Sequence, residues 1–311
     1  MKKNVLIVAL CALIHVAYAQ ETCYSELEGL KGTQLLEALY AKISDHKILT
    51  YDEVRADKAR VDFRVNKDEI WDMYSDCVFT SSAYCSNTTG TGECACYNRE
   101  HIVPQSFWND QTEPMRTDLY NVIPTDSYAN ERRSSWPYGE VTSSQEWSNS
   151  LGSKLGYSSA FGCKVFEPAD KYKGDLARAY FYMIACYYNR SFTQNANGKK
   201  VFTYTSGRAG LTPTALALFL KWHRNDPASA KERRRNNEVE QVQGNRNPFV
   251  DAPDLVEYIW GDKKDVAYSC TLPIVNIEEN TPRAEKILEN GALIIVLPDG
   301  ARYNTTGARV L

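Results

Sequence analysis

The stretch Tyr97-Asn-Arg-Glu-His-Ile-Val-Pro104, with Asp118-Leu-Tyr-Asn-Val-Ile-Pro-Thr-Asp126 and Thr125-Asp-Ser-Tyr-Ala-Asn-Glu-Arg-Arg133 behind it, decides how this chain is read. Outside the first twenty residues the histidines are His46, His101 and His223, and His101 directly follows a carboxylate, Glu100, as His46 follows Asp45. Successive strand residues face opposite ways, so Glu100 and His101 can serve one site only where the strand ends or kinks, and Pro104 fits such a break. A hydrated divalent cation takes hard oxygen ligands, which Glu100 and an amide such as Asn130 supply, while a neutral imidazole alongside can take a proton from water. A strand through Glu100 and His101, a return strand over Asp118–Ile123 and a helix carrying Asn130 would form a β-β-α unit of about 35 residues with its ligands at one end. From the residues alone a Glu-His pair is also an ordinary surface pair, so both readings stand at this point.

Around that unit the chain has 311 residues, 43% hydrophobic and 24% charged, which is enough for one large core or two modest ones and excludes a disordered tail or a disulfide miniprotein. Formal charge is −3, so neither a nucleic-acid coat nor an acidic scaffold is indicated, and a polyanion site has to be local. Lys2 and Lys3, the apolar run Val5–Leu13 and Ala17-Tyr18-Ala19 read as a secretory leader over 1–19, cleaved after Ala19. The processed chain carries a charge of about −5 and is expected to be exported to the periplasm, the medium or the cell surface, with no transmembrane segment. Setting Cys11 aside leaves Cys23, Cys77, Cys85, Cys94, Cys96, Cys163, Cys186 and Cys270, an even set that suggests disulfides. Connectivity stays open, and Cys94-Ala-Cys96 lacks the spacing of a zinc knuckle.

Helical patterning dominates the rest. Thr33–Lys47 carries an apolar face with Thr33 as N-cap, and Asp175 can cap a nearly all-apolar helix from Leu176 to about Asn189. Thr212-Pro213 opens a helix to about His223, and Asp226-Pro227 opens another that ends near Gln243 before Gly244. Residues 178–246 hold 12 Lys/Arg against 4 Asp/Glu, a local positive excess in an otherwise acidic chain and the expected place for a polyanion such as nucleic acid to run. His223 reads as structural, and Arg233-Arg-Arg235 as a solvated face. After about Ala267 the composition changes: Ala292–Leu297 and Ala301–Leu311 flank Asp299-Gly300 as two β-type runs around a hairpin.

The blocks Asn98–Ser106, Asp118–Asp126, Gly174-Asp-Leu-Ala-Arg-Ala-Tyr-Phe-Tyr-Met183, Trp222-His-Arg-Asn-Asp-Pro227 and Gln243-Gly-Asn-Arg-Asn-Pro-Phe-Val-Asp251 resemble, in order, the signature blocks of the endonuclease I family, over roughly Cys23–Trp260. These are secreted or periplasmic bacterial nucleases with a ββα-metal, or His-Me finger, site. The resemblance implies an α+β fold, mainly helical with an embedded ββα-metal motif, and a catalytic domain over 20–270; residues 271–311, a linker and β tail, lie outside it. It implies a metal-dependent endonuclease acting on DNA and/or RNA with little sequence preference and leaving 5′-phosphates. His101 matches the general base, while Glu100 and Asn130 match the ligands of one divalent cation, Mg²⁺ first, with Ca²⁺ or Mn²⁺ as options.

The family's phosphate-clamping arginine sits in a loop that is longer in some members than the one here, and its candidates are Arg116 and Arg132, with Arg99 third. Where some relatives have histidine, this chain has Tyr120-Asn121, which leaves the orientation of His101 without an account in that block. The segment Gln243–Phe249 reads as a buttress, or as Asn245 and Arg246 touching phosphate. The tail resembles the short C-terminal β appendages that act as secretion or sorting signals on some exported proteins. Two rivals remain: a catalytically inactive surface- or matrix-binding module on the same scaffold, and a phosphomonoesterase or nucleotide phosphodiesterase. No obligate protein partner is evident.

Overall fold

Ten apolar or aromatic side chains in the fourteen residues Lys173–Cys186 leave that helix no polar face, so it has to be enclosed, and in the computed structural model every residue from Gly174 to Cys186 is buried. The structure describes residues 24–86, 92–108, 112–270, 285–289, 292–296, 301–304 and 309–310. The expected leader, Cys11 and Cys23, and the Asp299-Gly300 turn lie outside the described residues.

The helices are α1 (Gly32–Ile43), α2 (Ala56–Ala59), α3 (Ser127–Arg133), α4 (Lys173–Cys186), α5 (Ala196–Val201), α6 (Pro213–Asn225), α7 (Ala230–Gln243), α8 (Pro248–Asp251) and α9 (Leu255–Ile259). The strands up to Cys270 are β1 (Tyr97–His101), β2 (Val122–Asp126), β3 (Ser143–Ser148), β4 (Lys154–Ser158), β5 (Cys163–Glu167), β6 (Phe202–Thr205) and β7 (Arg208–Leu211). They form an antiparallel pair β1-β2, a three-stranded sheet β3-β4-β5 and a hairpin β6-β7. Helix α4 is the axis on which α1, α6 and α8 pack. The architecture is α+β with helices in the centre.

The chain divides into two units, one through Cys270 and one from Thr271 to Leu311. In the second, β8 (Glu285–Glu289), β9 (Ala292–Val296), β10 (Arg302–Asn304) and β11 (Arg309–Val310) make an antiparallel sheet in the order β11-β10-β9-β8. The run Ala292–Val296 does pair with the run after Asp299-Gly300, at Arg302–Asn304, while β8 adds a partner that the sequence reading lacked.

Several expected boundaries shift for identifiable reasons. Helix α1 starts at Gly32, without a side-chain cap from Thr33, and ends at Ile43 rather than Lys47. A 3-10 turn, Asp170–Tyr172, runs straight into α4, so Asp175 lies inside the first turn instead of capping it and pairs with Lys231 at 3.2 Å. Thr212 caps α6 as expected, its hydroxyl accepting from the Ala215 N–H at 3.3 Å. Asp226-Pro227, however, starts no helix: Ser229 caps α7. Asp226 is drawn back to α4, where its carboxylate accepts from the Gly174 N–H at 2.8 Å and its carbonyl from Arg178 at 2.7 Å. A Cβ at Gly174 would lie 2.0 Å from that carbonyl, so only glycine allows the approach. Gly244 takes the left-handed conformation, φ 91°, that ends α7.

Interlaced disulfides Cys77–Cys94 and Cys85–Cys96 staple the polar segment ahead of β1. Cys163 and Cys186 are free thiols, which corrects the expectation that all eight cysteines pair. Cys186 is enclosed in α4, out of reach of a partner.

Candidate active site

Strands β1 and β2 pair antiparallel, with Glu100 opposite Ile123 and His101 opposite Val122, and β2 runs directly into α3. The return strand is Val122–Asp126 rather than Asp118–Ile123, because Asp118 is held in a turn by buried donors. The Asp126 carboxylate caps α3 through the Ala129 N–H at 2.8 Å and also accepts from the Cys94 N–H at 2.7 Å, so the disulfide staple and the helix start share one anchor. Strand β1 stops at His101. That ending lets Glu100 and His101 both line one open cleft of about 550 Å³, together with Tyr51, Arg99, Gln105, Arg116, Asn130 and Arg133.

Glu100 is 4% exposed, and its Oε1 accepts from the Tyr74 hydroxyl at 2.8 Å and pairs with Arg133 Nη1 at 2.7 Å. Burial raises its pKa, with the Arg133 charge pulling the other way. Both interactions use Oε1. Tyr74 in turn shares a very short contact with the Tyr138 hydroxyl, and Arg133 donates to the carbonyls of His101 and Ile102, so the end of β1 is fixed from beneath.

His101 Nε2 lies 2.9 Å from the Arg116 carbonyl. A carbonyl only accepts, so Nε2 carries the proton and Nδ1 holds the lone pair, with Gln105 Nε2 3.3 Å from it. Burial, with Arg99, Arg116 and Arg133 adding like charge, pushes the imidazole down to about 4 and keeps it neutral near pH 7. The ring orientation that Tyr120-Asn121 left without an account comes from the Arg116 backbone. Asn121 acts one step away, bonding Val103 at both its N–H and its carbonyl, at 2.8 and 3.2 Å. Asn130 donates its amide N–H groups to Asn98 Oδ1 and the Arg99 carbonyl at 2.8 and 3.1 Å, which leaves its Oδ1 free of those bonds.

Of the arginine candidates, Arg99 and Arg116 line the cleft and Arg132 does not: it is exposed and bonds the Tyr128 hydroxyl at 2.6 Å. Its neighbour Arg133, three residues after Asn130 and on the same helix face, is the one that enters the site. Asn245 and Arg246 also stay away from the cleft. Asn245 is buried, donating to the Ile43 carbonyl and the Tyr182 hydroxyl at 2.7 and 2.8 Å. Arg246 grips the Asp251 carboxylate at 2.7 Å with two nitrogens and Glu240 at 2.6 Å. Both buttress the turn between α7 and α8. His223 does the same kind of work, bonding the Pro253 carbonyl at 3.1 Å.

Much of the cationic excess over residues 178–246 is paired with carboxylates. Arg178 pairs with Glu232 and Arg235 with Asp62, each at 2.6 Å, Arg224 with Glu257 at 2.7 Å and Lys221 with Glu140 at 2.7 Å. Acidic partners from outside the segment neutralise much of it, so Arg235 is buried rather than part of a solvated face.

His46, Asp118 and Cys186 place metal-type atoms within 4.8 Å of one another. Asp118 is fully buried, however. One of its oxygens accepts from Tyr182 and Tyr187 at 2.8 and 2.7 Å, and the other from the Tyr120 N–H and Gln243 at 2.8 and 3.0 Å. Its lone pairs are spent, and the cluster is a hydrogen-bonded core.

The Endonuclease I family model matches residues 31–254, and the chain belongs to that family. It is similar to an extracellular ribonuclease of Bacillus amyloliquefaciens, 31% identical over 255 residues, 80% of this chain and 81% of the relative. An extracellular ribonuclease of Bacillus subtilis (strain 168) is 29% identical over 248 residues, 77% and 78% of the two chains. Endonuclease-1 of Buchnera aphidicola subsp. Baizongia pistaciae is 30% identical over 141 residues, 44% and 47%. The protein is therefore a nuclease, a hydrolase of phosphodiester bonds.

Proposed function

We propose that the protein is an exported, metal-dependent endonuclease that cuts backbone phosphodiesters with little sequence preference and leaves 5′-phosphates, with RNA the first substrate and DNA the second. The observation that carries this reading is the convergence of Glu100, His101 and Asn130 on one cleft lined by Arg99, Arg116 and Arg133. The β-β-α unit that presents them has the layout of a His-Me finger. The names of the two relatives matched over three quarters of the chain put RNA first.

His101 Nδ1, its lone pair fixed by the bond from Nε2 to the Arg116 carbonyl, takes a proton from the attacking water. Arg116, whose carbonyl holds His101, binds a non-bridging oxygen of the scissile phosphate with a charge-assisted hydrogen bond, and Arg99 adds a second positive charge to the cleft. Oxygen donors from one carboxylate and one amide suit a hard cation that keeps most of its waters, and Glu100 and Asn130 would hold Mg²⁺, or in its place Mn²⁺ or Ca²⁺. When bound, that ion supplies charge neutralisation at the phosphate and the leaving oxygen. Arg133 and Tyr74 keep Glu100 in place. Export is supported by the disulfides, by relatives named extracellular, and by the leader-like 1–19. Among the described residues no helix is long and apolar enough to cross a membrane. The tail unit, 271–311, is proposed as a sorting element separate from catalysis.

The test is degradation of single-stranded RNA and plasmid DNA by the oxidised full chain with Mg²⁺, with EDTA, and with Glu100→Ala alongside. Cutting that requires the ion and is lost in Glu100→Ala is the expected result. No cutting of either polymer would favour the inactive binding module, and a preference for mononucleotides would favour the phosphomonoesterase.

A further inference from the structure

Tyr51 belongs to none of the sequence blocks that mark the site, yet its ring carries two of the three cleft arginines, Arg99 and Arg116. The Arg99 guanidinium carbon lies 3.6 Å from the ring centroid and that of Arg116 lies 3.8 Å from it. Carbon atoms pack no closer than about 3.5 Å, so on the same face the two guanidinium carbons would be forced within about 2.5 Å of each other, which sterics and like charge both forbid. They therefore lie on opposite faces, about 7 Å apart, with the tyrosine as the spacer. That separation matches the distance between neighbouring phosphates along one nucleic-acid strand.

The spacer is itself anchored. Arg99 donates to the Tyr51 carbonyl, and the Tyr51 ring lies nearly parallel to His101, at 15° with centroids 6.2 Å apart. On the other face, the backbone of Arg116 holds His101 Nε2. Its guanidinium lies 3.5 Å from a Glu113 oxygen, and its buried Nε has no hydrogen-bond partner among the described residues. A cation stacked on a ring can keep N–H donors for a ligand, and both guanidinium-bearing residues line the cleft.

We propose that Tyr51 is the positioning residue of a two-phosphate grip, wedging Arg99 and Arg116 apart so that one holds the scissile phosphate beside His101 and the other holds the adjacent phosphate of the same strand. This rests on the cleft being the site of phosphodiester hydrolysis. It makes the preferred minimal substrate a segment with two consecutive phosphates, and it accounts for weak sequence preference, because the tyrosine faces are covered by arginines and offer no platform for a base.

The experiment compares kcat/KM of the Mg²⁺-loaded full chain for a dinucleoside monophosphate and for the same dinucleotide carrying a second phosphate at its 5′ or its 3′ end. One of the two-phosphate substrates is expected to be better by about 10- to 100-fold, the worth of one charge-assisted hydrogen-bonded contact, with the gain mostly in KM. In Tyr51→Leu that ratio should fall to within about three-fold although both guanidiniums remain, while Tyr51→Phe, which keeps the ring, should retain it. Long-range attraction alone would survive in Tyr51→Leu, so a retained ratio there overturns the wedge. If Tyr51→Leu does not fold, judged by its thermal midpoint, Arg99→Gln takes its place, and the same collapse is expected. Cleavage by the wild type with no preference for a second phosphate overturns the inference and leaves the nuclease reading standing. No cleavage of any of the three substrates or of polymer overturns that reading and the grip with it.

Discussion

The cleft and the helix α7 region are both rich in arginine, and they use it in opposite ways. Around α7, Arg178, Arg235 and Arg246 each meet a carboxylate at 2.6–2.7 Å. In the cleft Arg99 and Arg116 lie against an aromatic ring, and Arg133 shares Glu100 with a tyrosine hydroxyl. Buried cations paired with carboxylates hold elements together, whereas cations resting on a ring keep donors for a ligand. A count of positive charges along the chain cannot separate the two, since the acids that neutralise α7 come from as far away in sequence as Asp62.

The comparison breaks most visibly if a scaffold arginine proves catalytic. Arg235 binds Asp62 and also donates to the Leu119 and Val122 carbonyls at 2.7 and 3.1 Å, so it ties α7 to the approach to β2. Arg235→Met leaves Asp62 buried without its partner and should cost about 3–5 kcal/mol in urea unfolding, with KM for RNA unchanged in the protein that remains folded. A raised KM at wild-type stability would move α7 into the substrate path.

A smaller effect separates His223 from His101 by pH. Burial, with Arg178 adding like charge, pushes His223 down to about 4 from its ordinary 6.5. The unfolded chain therefore takes up a proton that the folded one refuses, and this share of stability is present above pH 6.5 and is lost as pH falls towards 4, by up to about 3 kcal/mol. Thermal midpoints of wild type and His223→Gln should converge across that window as pH falls, and parallel curves would show that His223 does not titrate differently on folding.

Arg116→Gln removes a cation from the ring and from the phosphate. It should lower kcat/KM on RNA by about 10- to 100-fold and flatten the salt dependence of KM, with stability little changed. The smallest expected effect is at Arg132, exposed and bonded only to Tyr128. Arg132→Ala should leave kcat/KM unchanged and stability within about 0.5 kcal/mol, and a kinetic defect there would reinstate it as the phosphate clamp.

What could be read in the sequence is what local chemistry dictates. The strand ending at His101 before Pro104, the capped helix bearing Asn130, Thr212-Pro213 and Gly244 each declare themselves within a few residues. Asp226-Pro227 misled because a long-range partner, the Gly174 N–H, took the cap residue. The sheet β3-β4-β5 went unseen because β3, Ser-Ser-Gln-Glu-Trp-Ser, is exposed along most of its length and has no alternation to read. At the site, Arg133 was within reach through its three-residue spacing from Asn130. Tyr51, about fifty residues upstream in an irregular segment, carried no signal until the fold brought it to the arginines.

The central claim is that catalysis belongs to the β-β-α cleft, with His101 as the base. Its most direct test is single-turnover hydrolysis of RNA by His101→Ala with Mg²⁺, read beside RNA affinity measured on the same sample. Loss of about 10²–10⁴-fold in rate with affinity within a few-fold of wild type is the predicted result. Ordinary turnover by His101→Ala would contradict the account.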